Sequence, residues 1–352
     1  MTSLAILMIL VIVLALAFDF LNGFHDAANS IATVVVAKTL TPLQAVILAG
    51  LANFIGYFTF GHAIAKMVSS GIINLDILPT PESKLLLLLG ALLGAILWNI
   101  ITWLFGLPSS SSHALVGGLI GAGLAAAGPK IIYMGSLAVH NGRLEVVGIL
   151  PIIAFIIIAP MLGMFGGMVV TLIILNLFKK LPYNKSSKVF RYMQLCSASC
   201  YSLGHGTNDA QKMMGVISMA LVCGGSATSL EIKGWVAFSC YAVIGLGTMF
   251  GGWRIVKTMG TKITKIRSIE GFCAESAASM VLMGTAHFGI PVSTTHVIAS
   301  AIMGVGTAER AKSVRWGTAR RIMWAWVLTI PLTAICSALA YWGIYLLHCG
   351  AV

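Results

Sequence analysis

The chain contains one polar motif twice, and this duplication is the feature that most constrains its fold. Residues 108–113 read PSSSSH and residues 291–296 read PVSTTH, at an offset of 183. The same offset places Asp26 on Asp209. Two separate motifs that keep one register predict that the chain is built from two similar halves.

The apolar composition indicates whether these halves lie in water or in a lipid bilayer. Apolar residues make up 58% of the 352 residues and charged residues only 9%, whereas about a quarter of a soluble domain is charged. The apolar runs are long enough to cross a hydrocarbon core of roughly 30 Å as helices. We therefore predict an all-α polytopic membrane protein. The predicted helical spans are residues 4–20 continuing through 27–37, then 43–65, 85–107, 114–127, 146–178, 193–222, 235–252, 271–288, 292–306 and 322–347.

The net charge of +12 comes mainly from three basic clusters in short connectors, at residues 179–191, 254–267 and 310–321. Basic loops of a membrane protein are typically cytoplasmic, so these clusters indicate topology and not a nucleic-acid partner. We predict a first transmembrane repeat over residues 1–178, a short basic cytoplasmic connector over 179–191, and a second repeat over 192–352.

The charge of the other loops predicts that the two repeats are inverted. The loops at residues 66–84 and 130–145 are nearly balanced in charge, so we expect them outside the cell. A hairpin over residues 85–127 then opens outward, while its mate over 271–306 opens inward. Two re-entrant hairpins would meet at mid-membrane, as in transporters with inverted-topology repeats. Both termini are predicted to be external, in a multi-pass protein of the plasma membrane.

Acidic residues inside the apolar spans are expected to be functional. A charge at the centre of a membrane helix costs about 2.5–3.5 kcal/mol on insertion scales. Asp26 and Asp209 are repeat mates, which favours one shared site. Glu275 has no acidic mate, because the offset places Leu92 there; it either neutralises a basic residue or joins an ion path. The alternative is that each carboxylate simply pairs with a nearby base, such as Lys38, Lys212 or His205.

The backbone around both aspartates is predicted to be interrupted. Residues 19–30 and 204–212 combine glycine with many short polar side chains. Glycine lowers helix propensity, and short polar side chains compete for backbone hydrogen bonds. Unwound backbone at membrane depth must line a cavity or be buried in protein. A broken helix there could hold a small hard cation by carbonyl and carboxylate oxygens.

The PSSSSH motif and its repeat PVSTTH predict an anion site, in contrast to the cation site predicted at the aspartates. Pro108 and Pro291 suit the first position of a helix, which would place hydroxyl side chains in the first turn. Unpaired N–H groups at a helix start bind anions, and hydroxyl donors suit a tetrahedral oxyanion. Ordinary N-capping is the alternative. The hydroxyl residues are Ser110, Ser111, Ser112, Ser293, Thr294 and Thr295.

An anion beside two carboxylates requires a cation between them, which predicts coupled transport. Sodium suits an all-oxygen site, and a proton would serve if Asp26, Asp209 or one of the neighbouring residues His25 and His205 titrates. A passive anion channel would need no paired acidic residues. An intramembrane hydrolase is disfavoured because no third group orients a serine–histidine pair, so we expect no enzyme and no cofactor.

Three segments, residues 23–29, 204–212 and 289–296, resemble the signatures of the inorganic phosphate transporter (PiT) family. The resemblance implies phosphate uptake by symport with Na⁺ or H⁺, alternating access around a midplane site, and a homodimer. One departure is His25, where many members have asparagine. Sulfate, another tetrahedral oxyanion, remains an alternative substrate. By match to the motifs, the resemblance implies that Asp26, Asn29, Asp209 and Asn208 serve ions and substrate, with Ser110, Ser111, Ser293 and Thr294 around phosphate. To these we add Glu275 as a cation residue and Ser112, Thr295, Asn29 and Gln211 as phosphate residues.

Overall fold

The computed structural model describes residues 3–59, 61–140, 143–180 and 182–350. These residues are mostly helical, and the helices follow the predicted apolar spans. The α-helices are α1 (Ser3–Val36), α2 (Pro42–Ile55), α3 (Ala63–Ser70), α4 (Pro81–Leu104), α5 (Ser111–Ala127), α6 (Ile149–Phe178), α7 (Tyr183–Cys223), α8 (Gly234–Phe250), α9 (Trp253–Thr261), α10 (Ser268–His287), α11 (Thr294–Glu309) and α12 (Trp316–Gly350).

One segment departs from the all-α prediction. The strands β1 (Ser136–His140) and β2 (Arg143–Val147) pair in antiparallel fashion where a plain loop over residues 130–145 was expected. Valine is frequent in this stretch of sequence, and β-branched residues favour strands. This hairpin is a local exception in one connector of a chain whose other described elements are helical, as predicted.

Four of the described helices, α1, α4, α6 and α12, are long and apolar enough to cross a membrane. Two bent pairs raise the number to six if each pair counts as one span: α2 with α3, bent by 83°, and α8 with α9, bent by 71°. The span predicted over residues 43–65 corresponds to the first bent pair, in which a 3₁₀ turn at Gly56–Phe58 follows α2. The second bend begins at Gly251, whose φ of +69° lies in the left-handed region that favours glycine.

The predicted breaks beside the two aspartates are also wrong. Both α1 and α7 are continuous through residues 19–30 and 204–212. A Cβ on Gly206 would lie 2.6 Å from the carbonyl oxygen of Asn53, and a Cβ on Gly23 would overlap the carbonyl oxygen of Ile244. The glycines therefore permit close helix packing, α7 on α2 and α1 on α8, and do not unwind the backbone.

Two of the basic connectors are shorter than predicted. The connector expected over residues 179–191 gives way to α7 at Tyr183, directly after Pro182. Proline cannot continue a helix that precedes it but is compatible with a helix that follows it. Likewise, α9 (Trp253–Thr261) occupies much of the basic stretch at residues 254–267.

The helices form two series in the same order, and the two series pack reciprocally. Helix α6 packs on α11 while α12 packs on α5, and α1 packs on α8 while α7 packs on α2. The repeat mates α1 and α7 run antiparallel. Near the start of α1, the Met8 sulfur lies 3.3 Å from Ser226 Oγ beyond the end of α7. Just after α1, Thr39 donates a 2.5 Å hydrogen bond to Gln194 near the start of α7. The repeat boundaries and the orientation of the halves across a membrane stay predictions.

Candidate functional site

The duplicated motifs form two matching helix starts. Helix α5 begins after Ser110, whose Oγ accepts a 3.1 Å hydrogen bond from the backbone N–H of His113. Helix α11 begins after Ser293, whose Oγ accepts a 3.2 Å bond from His296. Ser110 and Ser293 are thus N-caps, the ordinary role of serine there. The two prolines lie two residues before the caps, so their predicted placement at the first helical position was wrong.

The two helix starts meet inside the molecule. The rings of His113 and His296, which are repeat mates, have centroids 4.7 Å apart, and the His296 ring stacks on Trp326 at 4.2 Å. Both histidines are buried. Because both helices begin at this contact, their unpaired N–H groups and positive dipole ends face the same interior region.

Asp26, on α1, lies at the start of α11. Its side chain is buried, and its Oδ2 accepts a 3.4 Å hydrogen bond from Thr295 Oγ1. The same Thr295 oxygen accepts a 2.9 Å bond from Asn29 Nδ2. Asp26 Oδ1 lies 2.7 Å from His25 Nδ1, while the other ring nitrogen of His25 lies 3.2 Å from Thr102 Oγ1. The predicted cation residues Asp26 and Asn29 therefore contact one predicted phosphate residue.

Asp209, on α7, contacts the starts of both α5 and α11. Thr294 Oγ1 donates to its Oδ2 at 3.4 Å, and Ser112 Oγ lies 3.5 Å from its Oδ1. His205 Nε2 is 3.3 Å from Oδ2, as an ion-pair contact without hydrogen-bond alignment. The side chain of Asp209 is fully buried. One carboxylate thus connects both predicted anion-binding turns.

Lys212 is the basic residue of this site. Its ammonium lies 2.5 Å from Asp209 Oδ1, donates to the carbonyl oxygen of Val292 at 3.1 Å, and contacts the hydroxyl of Ser112. Asp209 therefore does pair with a base, and it contacts both helix starts as well. Lys38, the other lysine considered, lies in the turn after α1.

The contacts repeat across the two halves with one difference. Ser112 and Thr295 are repeat mates, and so are Asn29 and Lys212. Asn29 binds Thr295 on one side, and Lys212 binds Ser112 on the other. The duplication therefore places an amide at one position and an ammonium at its mate. That mate relation, together with the three-residue spacing from Asp209, was the signal that could have assigned Lys212 to the site.

A cation could be held between the two aspartates. Ligand atoms of Asp26, His205 and Asp209 all lie within 4.8 Å of one another. Asn208 donates from Nδ2 to the carbonyls of Gly204 and Leu282, but its buried Oδ1 has no hydrogen-bond partner. Carboxylate and amide oxygens suit hard cations. Asp26 and Asp209 therefore offer two carboxylates close enough to share a cation. Asn208, which binds Leu282 of α10, has one free buried oxygen beside Asp209 in the sequence.

Two predicted site residues lie away from this cluster. Gln211 Oε1 accepts a 3.0 Å hydrogen bond from the Ile64 backbone N–H, at the start of α3. Glu275, on α10, accepts hydrogen bonds from Thr33 Oγ1 at 2.5 Å, from Gln194 at 3.3 Å and from Ser197. All three donors to Glu275 are neutral, so the idea that it neutralises a basic residue was wrong. Thr33 lies seven residues beyond Asp26, about 10 Å along the helix axis.

The remaining predicted phosphate residue, Ser111, opens α5. Its hydroxyl is buried without a hydrogen-bond partner. An unpaired buried hydroxyl costs free energy unless a ligand or water completes it. Ser111 is thus a free donor at one of the two converging helix starts.

Comparisons with known proteins identify the family of the chain. The Phosphate transporter family matches residues 22–337 of the chain. The chain is 48% identical over 339 residues to a probable low-affinity inorganic phosphate transporter of Rhizobium meliloti, covering 96% of each chain. It is 45% identical over 342 residues to a protein of the same description from Bacillus subtilis, covering 97% of this chain and 98% of the relative.

A solved structure has the same fold. The protein described as the sodium-dependent phosphate transporter superposes with a TM-score of 0.82 at 24% sequence identity, and the match covers 97% of this chain and 99% of that one. At this identity the likeness establishes the fold.

Proposed function

Because the chain belongs to the phosphate transporter family, we propose that it imports inorganic phosphate by symport with a cation, with Na⁺ favoured. The observation that carries the proposal is the convergence of two helix starts on two carboxylates. Thr295 donates to Asp26 and Thr294 donates to Asp209. Neighbouring residues of one helix turn thus connect the anion-binding and cation-binding groups.

In this proposal phosphate binds between the starts of α5 and α11. Backbone N–H groups and the positive dipole ends of both helices favour a multiply charged anion. The ammonium of Lys212 adds a full positive charge, and the free hydroxyl of Ser111 adds a donor. The remaining hydroxyl donors are Ser110, Ser112, Ser293, Thr294 and Thr295, with Asn29 as the amide residue; Gln211, which binds the start of α3, is left out of the phosphate site.

The cation binds between Asp26 and Asp209, with Asn29 and Asn208 beside them. Two unit charges within 4.8 Å of each other repel by at least about 3 kcal/mol at an effective dielectric constant of 20. An incoming phosphate adds further negative charge, which Lys212 offsets only in part. A bound cation reverses this repulsion, so each ion stabilises the binding of the other.

Sodium is favoured over the proton because the available ligands are mainly oxygens. The solved transporter of similar fold is described as sodium-dependent, which accords with this choice. His25 and His205 each contact one of the carboxylates, so proton coupling is the second candidate.

Alternating access is proposed to rest on inverted repeats, residues 1–178 and 192–352, with one hairpin opening to each side. The antiparallel course of the mates α1 and α7 supports this arrangement. We further propose a homodimer in the plasma membrane with both termini external. We also propose that Glu275 lies on the ion path. It accepts a hydrogen bond from Thr33, which lies seven residues beyond Asp26 on α1.

Other activities fit the site less well. The family is one of transporters and not of enzymes. In addition, Ser110 accepts its hydrogen bond from the backbone of His113 and not from the imidazole, so no serine–histidine catalytic pair forms there. A channel would not need the carboxylates. Sulfate lacks the protons of HPO₄²⁻, and Asp26 and Asp209 offer acceptors for such a proton.

The experiment is uptake of labelled phosphate by proteoliposomes under a sodium gradient, a proton gradient or neither, with excess sulfate as competitor. We expect concentrative, sodium-dependent uptake that sulfate barely inhibits. Asp209→Asn should abolish it, whereas Asp76→Asn, at a carboxylate that is 92% exposed, should not. Flux without a gradient would indicate a channel. Inhibition by sulfate as strong as inhibition by unlabelled phosphate would overturn phosphate as the specific substrate.

A further inference from the structure

Helix α1 presents a continuous stripe of buried polar side chains. Asp19, Asn22, Asp26, Asn29 and Thr33 recur at spacings of three and four residues, which places them on one helix face. All five are buried. The stripe begins two helical turns before the central site, at Asp19, and none of the roles proposed above uses that end.

Asp19 is an unusual carboxylate because it is fully buried and the donor that faces it, the thiol of Cys240 on α8, is a weak one. Asp19 is 0% exposed, and neither of its oxygens has a hydrogen-bond partner. The side-chain oxygen of Asn22, one turn further on, is buried and equally unpartnered. Three acceptor oxygens therefore occupy one helix face without a conventional donor.

The groups around Asp19 do not neutralise it. On α8 the thiol of Cys240, a weak donor, faces the carboxylate. On α7 the charged groups that act on it are Asp209 and Lys212, and these two are already paired with each other at 2.5 Å. A buried charge without its own counter-charge carries a penalty of several kcal/mol. A cation bound at Asp19 would supply the counter-charge that these neighbouring side chains do not.

The duplication does not explain this carboxylate. The repeat mates of Asp19 and Asn22 are Ser202 and His205, so the second half has no equivalent pair of oxygen ligands. The pair is an addition to the two-fold arrangement and not a product of it.

We propose that Asp19 and Asn22 form a second cation site, which takes a hard monovalent ion, Na⁺. It lies about 10 Å along α1 from Asp26, by helix geometry, on the side of the membrane reached by the start of α1 and the end of α7. A Na⁺ ion there satisfies all three unpartnered oxygens, whereas a proton on Asp19 would supply only one donor. The ion occupies this site on its way to or from the central pair. This inference rests on the proposed symport.

The test measures sodium dependence of phosphate uptake and the ratio of transported Na⁺ to phosphate in proteoliposomes. In Asp19→Asn we expect the half-saturating Na⁺ concentration to rise at least about tenfold, since loss of even an outer-sphere partner weakens metal binding by 10–100-fold. The Na⁺-to-phosphate ratio should fall, and half-saturating phosphate at saturating Na⁺ should be unchanged. Asn22→Leu should act in the same direction. Asp76→Asn is the matched carboxylate control.

The two proposals fail in different ways. If wild-type uptake is independent of Na⁺, the proposed symport fails. If wild-type uptake depends on Na⁺ but Asp19→Asn and Asn22→Leu match the Asp76→Asn control, the second site is refuted alone. A changed pH dependence with unchanged Na⁺ dependence would identify a proton as the occupant and would also refute the sodium site. If Asp19→Asn does not purify as a folded protein, the Na⁺ dependence and the Na⁺-to-phosphate ratio are measured on Asp19→Glu and Asn22→Leu instead.

Discussion

Replacing Lys212 with methionine tests whether the central site depends on a buried ion pair. The ammonium lies 2.5 Å from Asp209 Oδ1, and the two side chains are 4% and 0% exposed. Removing one partner of a buried pair leaves the other charge unpaired, which destabilises a protein by about 3–5 kcal/mol. His205 remains near Asp209 at 3.3 Å, so we expect the lower part of that range, about 3 kcal/mol.

Lys84 provides a matched control, because it pairs with a carboxylate at the surface. Its ammonium lies 3.1 Å from Asp76, which is 92% exposed. Exposed pairs contribute only about 0–1 kcal/mol. Lys84→Met should therefore lower the melting temperature of the detergent-purified protein far less than Lys212→Met does.

The double variant Lys212→Met/Asp209→Asn tests whether the loss of stability in Lys212→Met comes from the unpaired Asp209 carboxylate. If the loss in Lys212→Met arises from a stranded carboxylate, neutralising Asp209 should restore part of the melting temperature. Phosphate binding should stay lost in both variants, because the ammonium is proposed to face the anion. Equal melting temperatures for Lys212→Met and Lys84→Met would refute this reasoning.

Three further predictions concern single residues. Asp26→Asn should abolish Na⁺-dependent phosphate uptake while leaving the protein folded; Na⁺-driven uptake at the wild-type rate would remove Asp26 from the cation site. Gly206→Ala should lower the melting temperature by an amount equivalent to about 1–3 kcal/mol of overpacking, because its Cβ would lie 2.6 Å from the Asn53 carbonyl. The control Gly284→Ala, with nothing within 4 Å of its added Cβ, should be neutral or stabilising. Glu275→Gln should reduce uptake and alter its Na⁺ dependence, and unchanged kinetics would exclude it from the ion path.

The sequence alone predicted the helical spans well because apolar runs of membrane length have few alternative structures. It also predicted that the repeated motifs form helix starts, since proline followed by serine or threonine is a strong start signal. The duplicated register further predicted that residues as distant as Asp26 and Thr295 share one site, and they are in contact.

The errors arose where one residue type serves two physical purposes. Glycine beside the aspartates was interpreted as a break, but at Gly206 it permits the close approach of a neighbouring backbone. Polar side chains around Asp209 were expected to compete with the helix. Thr207 and Asn208 do donate to carbonyls of their own helix, at Leu203 and Gly204, yet α7 stays continuous. Whether glycine unwinds a helix or brings two helices together depends on tertiary neighbours, and the sequence does not display those neighbours.

The continuity of α1 and α7 has a mechanical consequence. An unbroken hydrogen-bonded helix moves as one body, so the polar side chains along α1 keep fixed spacings whichever way the protein opens. A displacement at Asp19 must therefore be matched at Asp26 and at Thr33. In the proposed alternating-access cycle, we therefore expect movement at the α2–α3 and α8–α9 bends and at the turns before α5 and α11, and not within α1 or α7.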